Sequence, residues 1–286
     1  ANMSPKYFGR QLRSCLLTCR GVRIARQEGG HSSSFAALRP ESATGLVAPS
    51  RKELDIAVAA YWQAKDDQRS AAEAIGSTAE GSSVAVRGGG HFNPVANLIA
   101  RFFTDAGYPP ESIHAGGAGI RLPGYYRPTK DWDLVVKHQG VLVAAIELKA
   151  LGGPSFGNNY NNRVEEAVGT ASDIDRANWI NLVGPEKPWL GYFFLMDDQE
   201  GSRRTPGKPR SAAFGQDPEW NGRSYQDRFE LTGQRMLDQN LYDAVCYVVS
   251  SRDDPLPKEP NSQLDWRHFS AAINARIAYL AELGYP

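Results

Sequence analysis

Apolar positions recur along this chain with two different periods, and the alternation between them lays out the elements. Leu54, Val58, Tyr61 and Trp62 form one stripe of a helix over Arg51 to Ile75, with Ser50 as N-cap. A Gly/Ser-rich stretch from Gly76 to Gly90 interrupts the pattern. Asn93-Pro94 then reads as N-cap and first helical residue, followed by Val95, Leu98, Ile99, Phe102 and Phe103, with Gly107 as the stop. The glycine-rich Ile113 to Leu122 predicts a strand. Asp133 to Val136 and Val141 to Leu148 are β-branched and apolar, two strands joined through His138-Gln139-Gly140. The segment from Gly152 to Arg163 predicts a loop that opens a helix running from about Arg163 towards Trp179. Trp189 to Met196 is continuously apolar, as a strand buried on both faces requires. A helix over Tyr225 to Asn240, a strand over Ala244 to Ser250 and a helix over Trp266 to Leu283 close the chain, the last presenting Phe269, Ile273, Ile277 and Leu280 on one side. Helices alternating with strands around one hairpin predict an α/β sandwich with a mixed β-sheet flanked by helices.

The hairpin is the unusual element, because its far end carries charge. Side chains alternate along a strand, so Glu147 and Lys149 point one way while Leu148 points into the core. With a three-residue turn His138 pairs with Leu142, and the same register sets Asp133 opposite Glu147. A two-residue turn moves that pairing by one position. In either case two carboxylates and an ammonium are crowded at the end of an apolar hairpin. Two carboxylates so close repel unless a cation lies between them. Hard oxygen ligands suit Mg²⁺, and a lysine beside such an ion can orient a water or stabilise charge on a phosphate. These are the parts for metal-assisted hydrolysis of a phosphodiester. The plainer alternative is a hairpin whose charges mark its solvated edge.

Composition narrows the picture. With 286 residues and 41% hydrophobic content the chain can bury a sizeable core. No apolar run is long enough to span a bilayer, and three scattered cysteines fit a reducing cytoplasm rather than a disulfide framework. Cys15, Cys19 and His31 lack a fourth zinc ligand nearby. Gly116-Gly117-Ala118-Gly119 leads into no helix and lacks the dinucleotide spacing, which removes a Rossmann reading. Lys and Arg balance Asp and Glu at 32 each, so any nucleic-acid surface must be a locally basic cleft. Residues 1–48 are rich in arginine and poor in acids. They read as an extension outside the fold, with a transit peptide or a basic nucleic-acid arm as the alternatives. Residues 49–286 then form a single domain.

Asp133, with Glu147-Leu148-Lys149 on the adjacent strand and a helix and strand after it, resembles the PD-(D/E)xK nuclease core; the proline of that pattern is replaced by Trp132. Two longer stretches resemble the XhoI family of type II restriction endonucleases. One is Lys130-Asp-Trp-Asp-Leu-Val-Val. The other begins at Glu147-Leu-Lys-Ala-Leu-Gly-Gly-Pro-Ser-Phe-Gly and continues through Asn158-Asn159-Tyr160-Asn161-Asn162-Arg163 to Glu165-Glu166-Ala167. The resemblance covers about Val47 to the C-terminus. It implies a homodimeric, Mg²⁺-dependent endonuclease that cuts double-stranded DNA at CTCGAG and leaves 5′ overhangs. It assigns the metal to Asp133, Glu147 and the carbonyl of Leu148, and the attacking water to Lys149.

Beyond the catalytic strand, Asn158, Asn159, Asn161, Asn162 and Arg163 have the side chains that bond adenine and guanine edges, although asparagines also serve turns and caps. Arg203, Arg204, Lys208 and Arg210 are expected to neutralise phosphates, or to form a solvated loop. Glu165 and Glu166 are placed either to assist the metal or to pair along a helix face. A repair or structure-selective nuclease with the same core, and a non-catalytic DNA-binding relative, are the competing functions.

Overall fold

In the hairpin at the centre of the sheet, a bulge corrects for a turn that is one residue short. The computed structural model describes residues 49–74, 89–153, 155–207 and 214–285, all within one compact unit. The expectations for residues 1–48, for most of the Gly/Ser-rich stretch and for Lys208 and Arg210 lie outside the described residues. Strands β1 (Ile113–His114), β4 (Leu134–His138), β5 (Val141–Leu151), β6 (Trp189–Asp197) and β7 (Ala244–Ser250) form one sheet in the order β1-β4-β5-β6-β7. β4 runs antiparallel to both β1 and β5, whereas β5, β6 and β7 are parallel. The expected mixed sheet is present. The glycine-rich segment divides into β1 and β2 (Arg121–Pro123), because a 3₁₀ turn at Gly117–Ile120 intervenes; β2 pairs with β3 (Thr129–Asp131) in a separate ribbon.

The β4–β5 turn has two residues, Gln139 and Gly140, with φ of 48° and 79°. Positive φ at both positions is the type I′ geometry that matches strand twist. His138 therefore pairs with Val141, not with Leu142 as a three-residue turn requires. The register then shifts between the pairs Lys137–Leu142 and Val136–Ala144, leaving Val143 as an extra residue. Val143 and Ala144 both pack on the same face of the sheet. The bulge restores the alignment in which Leu134 faces Ile146, and Asp133, one step further, comes level with Glu147.

Each face of the sheet is covered by helices. α1 (Arg51–Ala74), α2 (Asn93–Asp105) and α6 (Trp266–Glu282) pack over Leu134, Ile146, Leu148, Phe193, Leu195, Cys246 and Val248. α3 (Phe156–Trp179) and α5 (Tyr225–Asp238) cover the other face through Tyr160, Ile174 and Phe229, against Ala145, Tyr192, Phe194 and Tyr247. All nine residues of β6 are buried, which is why its sequence shows no alternation. Ser50 caps α1 as expected, its hydroxyl facing the Glu53 amide while Glu53 accepts from the Ser50 amide at 2.7 Å. Asn93 is not a cap. A 3₁₀ turn over Gly89–Phe92 runs into α2, because Phe92 and His91 pack against Tyr61.

Gly191 lies in the middle of β6, where a Cβ would meet Trp189 at 2.8 Å and Ile146 at 3.1 Å. Gly191→Ala is expected to destabilise the fold by about 1–3 kcal/mol, since this position between two paired strands cannot relax outward. Urea unfolding checks this: the midpoint falls while the slope is unchanged.

Candidate active site

Asp133 stands immediately before β4, and Glu147 and Lys149 sit two residues apart on β5, both directed towards the α3 side of the sheet. The Asp133 Oδ2 accepts from the backbone amide of Leu148 and from Lys149 Nζ, each at 2.8 Å. Glu147 is only 2% exposed, and its carboxylate is held between two ammoniums, Lys130 on Oε1 and Lys149 on Oε2. Lys149 Nζ also lies 3.4 Å from the Leu148 carbonyl. All three oxygen groups expected to hold a metal therefore converge on one point, and the point is taken by the Lys149 ammonium. Two carboxylates and a carbonyl form a hard-oxygen donor set, so the residues fit a divalent cation such as Mg²⁺. Among the described residues no group of three or more His, Cys, Asp or Glu side chains is clustered for a metal, so the carbonyl is needed to complete the protein's share of ligands.

Lys130 belongs to this centre, although the sequence assigned it no role. It comes from β3, its Nζ is 4.7 Å from the Trp132 ring centroid, and it reaches Glu147 from the side opposite Lys149. Burial, and then the like charge of Lys149, push its ammonium down to about 7. Trp132, immediately before Asp133, is buried and serves as the platform for that ammonium.

A cleft of about 360 Å³ opens above Glu147. The β2–β3 ribbon supplies Arg127, Lys130 and Asp131 to one wall, and α3 supplies Arg163, Glu165, Glu166 and Thr170 to the other; Tyr192 joins Glu147 and Lys149 at the floor. Arg127 is held by Asp173, a carboxylate 3% exposed that accepts from Arg127 Nε at 2.7 Å and from the amides of Tyr125 and Tyr126 at 2.7 and 2.8 Å. Burial pushes the Asp173 carboxyl up, but the bonds from Arg127 and the two amides outweigh it and hold the group below its ordinary range. Glu166 pairs with Arg163 one turn away, the helix-face alternative for that residue.

The asparagines are placed differently from expectation. Helix α3 starts at Phe156, not near Arg163, so Asn158, Asn159, Asn161 and Asn162 lie in its first two turns instead of a loop. The cause is a set of apolar anchors at helical spacing: Phe156 stacks on Tyr225, and the Tyr160 hydroxyl is 2.9 Å from Thr232 Oγ1. Asn158, Asn161 and Asn162 face outward and are exposed, Asn159 is half-buried, and none lines the cleft. Arg163 does. Arg203 ends the short helix α4 (Glu200–Arg203) and bonds Asp198 Oδ1 at 2.7 Å, while Arg204 beyond it is exposed; neither reaches the cleft.

The family model described as restriction endonuclease XhoI matches residues 71–259. Type II restriction enzyme BstVI from Geobacillus stearothermophilus is 33% identical over 216 residues, covering 71% of this chain and 94% of that enzyme. Type II restriction enzyme XhoI from Xanthomonas vasicola is 37% identical over 185 residues, 64% of this chain and 73% of the relative. AbrI from Azospirillum brasilense, also a type II restriction enzyme, is 47% identical over 100 residues, 34% of this chain and 45% of its own. No solved structure matches. No helix among the described residues is long and apolar enough to cross a membrane.

Proposed function

Because this chain belongs to the XhoI family of type II restriction endonucleases, we propose that it is a Mg²⁺-dependent enzyme of PD-(D/E)xK type that cuts double-stranded DNA at CTCGAG, leaving four-base 5′ overhangs. Residues 49–286 act as one catalytic and DNA-binding domain. It works as a homodimer, because a palindrome offers identical half-sites to two protomers related by a two-fold axis. The observation that carries this reading is the convergence of Asp133, Glu147 and the Leu148 carbonyl on a single cationic position.

Asp133, Glu147 and the Leu148 carbonyl would hold the Mg²⁺. The ion, when bound, supplies a Lewis acid that acidifies a water and offsets charge on the phosphate. The protein's own contribution is positional. The Leu148 amide fixes the Asp133 carboxylate through its 2.8 Å bond. Lys130 on its tryptophan platform fixes one oxygen of Glu147. Lys149, freed from the carboxylates, is left to orient the attacking water and to hold or move its proton at Nζ. Arg127 on the cleft wall faces the strand's negative charge.

Digestion of a plasmid carrying a single CTCGAG with Mg²⁺, followed by end sequencing, tests the whole reading. One linear product with TCGA overhangs is expected, and none when the metal is chelated. Ends at another sequence would discard the target and keep the chemistry; cutting in the presence of chelator would discard the metal.

A further inference from the structure

Tyr192 stands beside Glu147 in the parallel β5–β6 ladder and is 1% exposed. Its ring is enclosed by aromatics, Phe194, Phe229 and Tyr242. The residue lines the cleft, and its buried hydroxyl has no hydrogen-bond partner among the described residues. A buried hydroxyl left unpaired costs about 1–3 kcal/mol, and native proteins retain such groups chiefly where a ligand or a water completes them. Phenylalanine would fill the same volume without that cost. Burial also keeps the phenol far above its ordinary titration range, so it remains a neutral donor.

A second orphan lies in the same cleft. Arg163 gives Nη1 to Glu166, but its Nε–H is buried and also without a partner. A guanidinium can only donate. Of the carboxylates lining the cleft, Glu147 pairs with Lys130 and Lys149, Glu166 with Arg163 and Asp131 with Arg121, while Glu165 is exposed. Two residues that line one cleft thus each keep a buried donor unpaired. A phosphate group, with several acceptor oxygens and a negative charge, is the complement to that arrangement.

We propose that Tyr192 Oη and Arg163 Nε form a seat for a phosphate of the DNA strand being cut, which makes Arg163 a backbone contact and not a reader of guanine. This rests on the reading of the protein as a DNA endonuclease.

The test uses full-length protein, wild type and Tyr192→Phe, on duplexes containing CTCGAG. One duplex is unmodified, and each of the others carries one neutral methylphosphonate at a successive position through the site. Affinity is measured without metal and cleavage with Mg²⁺. On unmodified DNA, Tyr192→Phe is expected to lose about ten- to hundred-fold in affinity or cleavage rate, the loss typical of a hydrogen bond to a charged group. Its melting temperature should equal or exceed that of wild type. At one methylphosphonate position the two proteins should become equal, and that position identifies the phosphate. Affinity and cleavage both within about twofold of wild type would overturn the seat and leave a buried water as the partner. A uniform loss at every position, with a lowered melting temperature, would also overturn it and make the hydroxyl structural. Wild-type protein that neither binds nor cuts would overturn the endonuclease reading together with the seat, whereas an unaffected variant beside an active wild type overturns the seat alone.

Discussion

Glu147→Gln is expected to slow cleavage by on the order of 10³-fold or more while DNA binding in chelator stays equal or becomes tighter. The two halves of this result have separate causes. Glu147 supplies a negative oxygen to the position now held by Lys149 Nζ, and an amide of the same shape cannot balance a divalent charge there. Without the metal the same carboxylate opposes a phosphate entering the cleft, and it ties up both Lys130 and Lys149. Removing its charge frees Lys130 for the DNA backbone and leaves Lys149 paired with Asp133 alone. Asp133→Asn should lose cleavage similarly, although its side chain is 39% exposed and carries less of the buried charge. Plasmid cleavage rates with Mg²⁺ and anisotropy titrations with chelator read the two halves independently. A Glu147→Gln protein that still cuts at more than about a tenth of the wild-type rate would remove Glu147 from the metal assignment.

Asp173→Ala should destabilise the protein by about 1–3 kcal/mol at neutral pH, because it strands the two amides bonded to one buried carboxylate while the half-exposed Arg127 guanidinium turns to solvent. Gly124 packs closely there, where an added Cβ would lie 2.6 Å from the Asp173 carboxylate. The pH dependence has a definite sign. The Asp173 carboxyl is depressed in the folded state, so the unfolded chain takes up its proton first as the pH falls. The stabilisation is complete above about pH 4 and is lost below it, as the pH passes through the folded-state value. Urea midpoints of wild type and variant should therefore differ at pH 7 and draw together in strong acid. A constant difference at all pH values would show that the ionised carboxylate is not what holds the Tyr125–Arg127 turn. Slackening of that turn also releases Arg127, so the variant should bind DNA more weakly even where it remains folded.

Elements that announce themselves by a single uninterrupted period were legible from the residues alone. Ala244–Ser250 occupies the strand its β-branched run predicts, and α1 and α6 follow their apolar stripes to within a residue at their ends. The start of α3 was hidden because Gly-Pro-Ser and four asparagines state turn chemistry locally, while Phe156 and Tyr160 answer to partners on α5 far along the chain. Tertiary packing overrode the local preference. The chemistry divides in the same way. Asp133, Glu147 and Lys149 stand out because charge is conspicuous on an apolar hairpin, and the fold brings the three together. Arg127 and Asp173 are 46 residues apart and meet only in the fold. Tyr192 could not be singled out, since a tyrosine in a fully buried apolar strand looks like core until its hydroxyl is found alone.

The bulge at Val143 bears on how this hairpin can vary. A three-residue turn followed by an unbroken ladder, and a two-residue turn followed by one extra residue, deliver Asp133 to the same place opposite Glu147. The length of the loop and the regularity of the strand are thus exchangeable, provided the total between the two carboxylates is kept. Drift at the tip of the hairpin is harmless when an insertion there is matched by a deletion at the bulge. An unmatched change of one residue instead presents Glu147 and Lys149 to the wrong side of the sheet. The spacing of fourteen residues from Asp133 to Glu147 is thus the constrained quantity, and the shape of the turn can vary around it.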